Sequence, residues 1–203
     1  MRSLDAPRAN AVMGAMAEMP PRDRVLAVAG ELFHRRGYGA VTLDEVIDAS
    51  GLARASVHQH FRTKAELGKA WLGRLQRRME VFHREFLGRL GDREKVLRKY
   101  FFAMRTWVES NRFRSCQFAN TAACIDTEAD EEIAVLVDVY KRKQLQFFID
   151  LAKFLVGEEG ARRTGTAVFL LYSGAMTECQ NLKTTWLLDD ALAQAERLCG
   201  VRS

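Results

Sequence analysis

The run Arg54-Ala-Ser-Val-His-Gln-His-Phe61, folded as a short helix, turns Val57 and Phe61 inward and leaves Arg54, Ser56, His58 and Gln59 outward, with Ala55 beside them. Arginine donates two parallel hydrogen bonds to a guanine edge, glutamine does the same for adenine, and serine and histidine bond phosphate oxygens. An outward face dominated by hydrogen-bonding side chains suits a surface that reads double-stranded DNA. A helical hairpin with a solvated face accounts for the same residues, because short helix pairs are common.

A reading helix must be held by its neighbours, and the flanking residues carry the signals for that. Thr42 and Glu45 have capping-box spacing, so a helix begins here, and Ser50-Gly51 stops it after about two turns because glycine enters the left-handed region without a Cβ clash. Leu52-Ala53 makes the turn, the second helix runs from about Arg54 to Phe61, and Val46, Ile47, Leu52, Val57 and Phe61 pack inward. Thr63 and Glu66 repeat the capping spacing and open a longer helix. Two short helices across a glycine-containing turn form a helix-turn-helix, whose second helix commonly enters the major groove. Thr42, Thr63 and Lys64, at the helix starts, complete the set of candidate DNA contacts. His60 is read as a packed histidine at the domain edge.

Upstream, Val25, Leu26, Ala29, Leu32 and Phe33 share one stripe of a helix that Gly37-Tyr38-Gly39 ends, so three helices share a small core. With "LFHRRGY" closing the first helix, "VTLDEVIDASGLARASVHQHF" as the helix-turn-helix and "RTKAEL" opening the fourth helix, residues 22–70 resemble the DNA-binding domain of the TetR-type family of one-component transcriptional regulators. Two positions depart from that pattern. Ala53 stands where the family usually caps the recognition helix with serine, forgoing about 1 kcal/mol. His58-Gln59-His60-Phe61 replaces the usual Tyr-x-Tyr-Phe, exchanging phenols for imidazoles; His58 still donates to a phosphate.

The rest of the chain reads as helical throughout. Leu67, Trp71, Leu75, Met79, Phe82, Phe86 and Leu90 recur at steps of three and four, a seam for one long helix from Lys64 to near Leu90, with Trp71 and beyond entering a second domain. Asp92 is placed to cap the next helix, which carries Tyr100, Phe101, Met104 and Trp107. A short helix follows within Cys116–Cys124, then a long one ending at Gly157, then a pair spanning about 162–182 and 185–199. The expectation is an all-α chain of about nine helices: a disordered leader at 1–20, a helix-turn-helix DNA-binding domain at 21–66, and a larger helical ligand-binding and dimerisation domain at 67–203. In the leader, Arg2 and Arg8 are the alternative, as an arm reaching a minor groove.

Charge agrees with this division. Through Arg78 there are 13 basic and 8 acidic residues, so the whole formal excess of +5 sits in the first third, as phosphate binding requires. Cys116, Cys124, Cys179 and Cys199 have no zinc-finger spacing and read as buried or partly buried free thiols; no metal or cofactor is expected. No apolar run approaches the roughly 18 residues of a membrane span, and nothing resembles a secretion signal, so the expected location is the cytoplasm.

Aromatic and sulfur-bearing side chains crowd the second domain. Met104, Trp107, Phe118, Phe147, Phe148, Tyr172 and Met176, with Asn120 and Thr121 as polar handles, are candidates to hold a small, mostly apolar effector; a plain core uses the same residue types. The resemblance implies that the last two helices pair with a second copy, so Leu170, Leu171, Gly174, Glu178, Leu188 and Leu192 are the candidate homodimer face. It also implies a repressor bound to a palindromic operator and released by its effector. An alternative keeps the DNA-binding architecture and senses through the thiols of Cys116 and Cys124. An enzyme is disfavoured: there is no glycine-rich phosphate loop, no His-Glu-x-x-His pair, and His34, His58, His60 and His83 all read as lying at or near the DNA-binding domain.

Overall fold

The computed structural model describes residues 18–126 and 130–201, so the expectation for the leader, including Arg2 and Arg8, falls outside the described residues apart from Glu18, Met19 and Pro20. Among the described residues there are nine helices and no strand. They are α1 (Pro21–Arg36), α2 (Leu43–Ser50), α3 (Arg54–His60), α4 (Lys64–Gly88), α5 (Val96–Ser110), α6 (Gln117–Ala122), α7 (Glu131–Val156), α8 (Glu158–Leu182) and α9 (Trp186–Leu198). None is long and apolar enough to cross a membrane.

The chain divides into two compact units, one of residues 1–74 with 124–134, the other of 75–123 with 135–203. The seam expected after residue 66 is thus found after Arg74, because Leu67, Trp71 and Leu72 are buried in the first unit's core. In that core the Phe33 ring lies 5.2 Å from Tyr38 and 5.1 Å from Trp71, and Gly30 leaves room for the indole. Trp71 therefore belongs to the first unit, contrary to the expectation.

Local chemistry sets the helix ends of this unit. Pro21 opens α1, where the missing N–H costs nothing, and His34, Arg35 and Arg36 complement the negative end of its dipole. At α2 the capping box is complete: Thr42 Oγ1 accepts from the Glu45 N–H at 3.2 Å, and the Thr42 N–H donates to Glu45 Oε2 at 2.7 Å. Gly51 ends the helix in the left-handed conformation (φ 64°). Ala53 gives α3 no side-chain cap, as the sequence implied, but the turn has another anchor. The buried Ser50 hydroxyl donates to Ile47 O at 2.7 Å and accepts from the Leu52 N–H at 3.2 Å.

In the second unit α5, α7, α8 and α9 enclose one core that includes Tyr100, Phe101, Phe147, Phe148, Tyr172 and Met176. Asp92 does not cap α5. Its carboxylate accepts from the Glu94 N–H at 2.9 Å, closing a turn ahead of a helix that starts only at Val96. Arg98 reaches the nearly buried Glu196 at 2.6 Å, and Arg105 reaches Asp189 at 2.9 Å, so two ion pairs tie α5 to α9. Helix α8 begins at Glu158, ahead of the expected Arg162, because Gly157 breaks the chain (φ 82°) and Glu158 and Glu159 favour a helix N-terminus.

A close helix contact in the second unit depends on Gly165. A Cβ on Gly165 would lie 2.6 Å from Ile149 Cα and 2.7 Å from Phe148 O, backbone atoms that cannot rotate aside. Gly174, by contrast, has open space around it. Gly165→Ala should therefore destabilise the second unit by about 1–3 kcal/mol, read as a lower urea midpoint, whereas Gly174→Ala should leave the midpoint unchanged or higher. Equal effects of the two changes would contradict this packing.

Candidate functional site

Helix α3 turns the candidate DNA contacts outward, with one addition. Val57 is buried while Arg54, Ala55 and Gln59 are exposed and Ser56 and His58 partly so. The Arg54 guanidinium is engaged, Nη1 lying 2.6 Å from Asp44 Oδ1 across the turn. Both side chains are more than half exposed, so this pair contributes little stability and does not lock the arginine. His60 is exposed rather than packed, because it sits past the last buried turn of α3. Phe61 takes the inward position instead, with the Arg22 guanidinium over its ring at 5.3 Å.

The two threonines differ in what remains available. Thr42 spends its hydroxyl within the capping box, donating to Glu45 Oε2 at 3.1 Å while accepting from the Glu45 N–H. Thr63 accepts from the Glu66 N–H at 3.1 Å, which leaves its proton to donate elsewhere. Glu66 reaches back not to Thr63 but to the Arg62 N–H at 2.7 Å. The ammonium of Lys64 lies 4.4 Å from the Tyr38 ring centroid and 3.4 Å from Gly39 O. Partial burial holds the Lys64 pKa below its ordinary value, against the opposing pull of Asp130.

Residues 124–126 and 130–134 pack on this same unit, which no local sequence signal announced. Tyr38 donates its hydroxyl proton to Asp130, and burial first, then the Asp130 charge, pushes its pKa up to about 12. Lys69 meets Glu132 at 2.7 Å. The fully buried Ile133 packs at Gly68, where any Cβ would strike Tyr38 at 2.6 Å. A Cβ on Gly39 would lie 3.1 Å from Cys124 Cβ.

The second unit contains a cavity of about 490 Å³. Of the predicted ligand residues, Met104, Trp107, Phe118, Tyr172 and Met176 line it. Phe147 and Phe148 do not; they are core side chains, 3% and 1% exposed. Asn120 and Thr121 are not lining residues either. Asn120 exchanges two hydrogen bonds with Gln180 (2.8 and 3.0 Å), and Thr121 is buried. Gln180 also accepts from the Ser115 N–H at 3.0 Å, so it fixes α6 and the strand of chain before it to α8. Sequence reasoning missed Arg78, Met79, Phe82, Tyr140 and Gln144 as wall residues, although Met79 and Phe82 sat on the stripe already drawn for α4.

A groove on α8 and α9 is lined by Leu170, Leu171, Gly174 and Glu178 from the predicted dimer face, joined by Leu187 and Leu198. Leu188 is not part of it: 1% exposed, it points into the core, one helical step from Leu187. Leu192 is partly buried against the same core. Of the cysteines, Cys116 lines the cavity, Cys179 and Cys199 are buried, and Cys124 is exposed, contrary to the reading of four sheltered thiols.

Residues 25–70 match the family model for bacterial regulatory proteins of the tetR family. Over these residues the chain is similar to the DNA-binding domain of that family. Over 59 residues it is 39% identical to the HTH-type transcriptional activator FasR of Mycolicibacterium smegmatis, covering 29% of this chain and 26% of that one. Over 46 residues it is 39% identical to the HTH-type transcriptional regulator QacR of Staphylococcus aureus, covering 23% of this chain and 24% of the relative. The chain thus spans about a quarter of the length of these curated relatives. The fold is that of a TetR-family regulator from Streptomyces coelicolor, with TM-score 0.79, 21% identity, and 90% and 96% of the two chains covered. A TetR-family regulator from Agrobacterium tumefaciens is similar at TM-score 0.75, with 19% identity and 90% and 98% covered. None of these findings supports thiol sensing by this chain.

One histidine lies elsewhere than expected. His83 belongs to the second unit, where its ring stacks on Phe147 at 4.0 Å and its Nε2 is 3.3 Å from the Tyr100 hydroxyl. Burial pushes its pKa from 6.5 down to about 4, so the fold holds it neutral while the unfolded chain protonates it. Its contribution to stability is complete above about 6.5 and is lost as pH falls towards about 4. The loss proceeds at up to about 1.4 kcal/mol per pH unit. Urea unfolding across that window should slope more steeply for the natural chain than for His83→Phe, and identical slopes would show that the ring is not held neutral.

Proposed function

We propose that this protein is a ligand-responsive transcriptional regulator, a repressor that binds a palindromic operator as a homodimer and is released by a small, mostly apolar effector. The observation that carries the reading is the presence in one chain of an outward polar helix on a helix-turn-helix and of a mostly apolar cavity of about 490 Å³, within the range of small-molecule sites. DNA contact falls to Arg54 and Gln59 at base edges, with Ala55 allowing close approach, and to Thr42, Ser56, His58, Thr63 and Lys64 at or beside phosphates. The effector lies among Met104, Trp107, Phe118, Tyr172 and Met176. A second copy covers the groove of Leu170, Leu171, Gly174 and Glu178, and its two-fold axis sets two recognition helices about 34–36 Å apart. The site of action is the cytoplasm, and no catalytic role is assigned.

Two helices supply a route between cavity and DNA. Helix α4 carries Lys64 and Gly68 in the first unit and Met79 and Phe82 at the cavity; α7 carries Ile133 in the first and Tyr140 and Gln144 at the cavity. An effector that favours one position of these helices changes DNA affinity by a coupling of about 1–3 kcal/mol, and DNA changes effector affinity by the same factor.

FasR, similar over the DNA-binding residues, is named an activator. A second reading therefore keeps every contact and reverses the outcome. Transcription from a promoter carrying the operator, with and without the protein, separates the two by its sign.

The test is binding to the selected operator and to random duplex, followed by fluorescence anisotropy over a range of salt. Arg54→Ala should cost about 1–3 kcal/mol on the operator and little on random DNA, while Lys64→Ala should weaken both evenly and reduce the salt slope by about one. Equal losses on both duplexes for both variants, or a chain that stays monomeric, would sink the reading.

A further inference from the structure

We propose that the effector is an organic monoanion, a carboxylate on an aromatic or branched apolar body. The proposal rests on the reading of the cavity as the effector site and concerns the charge that the site selects.

Among the described residues that line the cavity there is no Asp or Glu, and Arg78 is the one side chain with a full charge. Arg78 makes no ion pair among the described residues, so its guanidinium offers a forked donor that matches a carboxylate in geometry. The acids nearby in sequence are already taken. Glu80 is held by Lys143 at 2.6 Å and by Gln76 at 2.8 Å, and Glu109 accepts from Arg105 at 3.2 Å and from Thr185 at 3.0 Å.

Among the neutral polar groups of the wall, the Tyr140 phenol is arranged as a donor too. Lys141 donates to Gln144 Oε1 at 2.8 Å, which turns the Gln144 amide nitrogen towards the Tyr140 oxygen at 3.4 Å. Tyr140 thus accepts, and its own proton is left to give. A second phenol, that of Tyr172, lines the same cavity, with the Tyr100 ring 5.6 Å behind it and His83 Nε2 3.3 Å from the Tyr100 oxygen. Burial holds both phenols protonated at every physiological pH. Two phenolic donors and a guanidinium, with Met79, Phe82, Trp107 and Met176 around them, favour an anionic head on an apolar body. A cationic ligand would meet like charge at Arg78 and find no carboxylate to pair with, which aromatic faces alone offset only in part.

The experiment is calorimetric titration of the full chain with three probes of one skeleton: phenylbutyrate, its primary amide and phenylbutylamine. Phenylbutyrate should bind at least about tenfold more tightly than the amide, with the amine weakest, a difference of about 1.4 kcal/mol or more. Arg78→Met, which keeps the apolar stem, and Tyr172→Phe should each shrink the preference for carboxylate over amide severalfold while leaving amide affinity nearly unchanged. An unfolded variant would lose the amide as well, so the amide reports on integrity. If the amide or the amine binds as tightly as the acid, or Arg78→Met leaves the preference intact, the charge assignment falls and the effector cavity stands. If none of the three binds at millimolar concentration, the effector cavity falls with it.

Discussion

The ring of Tyr38 is the point on which the first unit turns. Its edge packs on Phe33 of α1, its face takes the ammonium of Lys64 at the start of α4, and its hydroxyl donates to Asp130 just before α7. One side chain, 3% exposed, thus binds three separate pieces of chain around the helix-turn-helix. Its cost in space is visible at Gly68, where no larger residue fits beside it. A lysine near a helix N-terminus is unfavourable to the dipole and needs a partner; the aromatic face supplies one without neutralising the charge, so the ammonium stays available to an anion.

Much of this unit was legible because its signals are local. Thr42 and Glu45 are three residues apart, Gly51 follows directly, and Val46, Ile47, Val57 and Phe61 fall on one face by period alone. What escaped was set by partners far away in sequence. Nothing near Asp130 foretells Tyr38, and nothing near Asn120 foretells Gln180, 60 residues on. Asn120 looked like a ligand handle because an amide in an apolar helix needs a partner; the need was read correctly and the partner was protein.

In the second unit the stripes were readable and the rotation of each helix was not. Adjacent residues differ by about 100° around an α-helix, so Leu187 lines a surface groove while Leu188 fills the core. The same step separates Tyr172, at the cavity wall, from Leu171, at the groove. Phe147 and Phe148 both face inward because α7 is crowded on two sides, by Tyr100 and His83 on one and by Tyr172 and Phe169 on the other. His83 was assigned to the wrong unit for a related reason: α4 runs through both, and sequence gives no mark at which the change occurs.

The ion pair between Arg54 and Asp44 bears on how such a surface discriminates. An exposed pair contributes about 0–1 kcal/mol, too little to keep an arginine from a guanine edge that offers two acceptors in line. Its larger effect is on wrong sites. On random duplex the arginine gains only a phosphate contact, which the Asp44 charge opposes, whereas at a matched base the bidentate bond replaces the carboxylate outright. An acidic residue set into the most basic third of the chain therefore lowers affinity for backbone more than affinity for sequence. In the proposed regulator net charge would draw the protein to any duplex, and the local negative charge at 44 would raise the fraction of that attraction which depends on the bases.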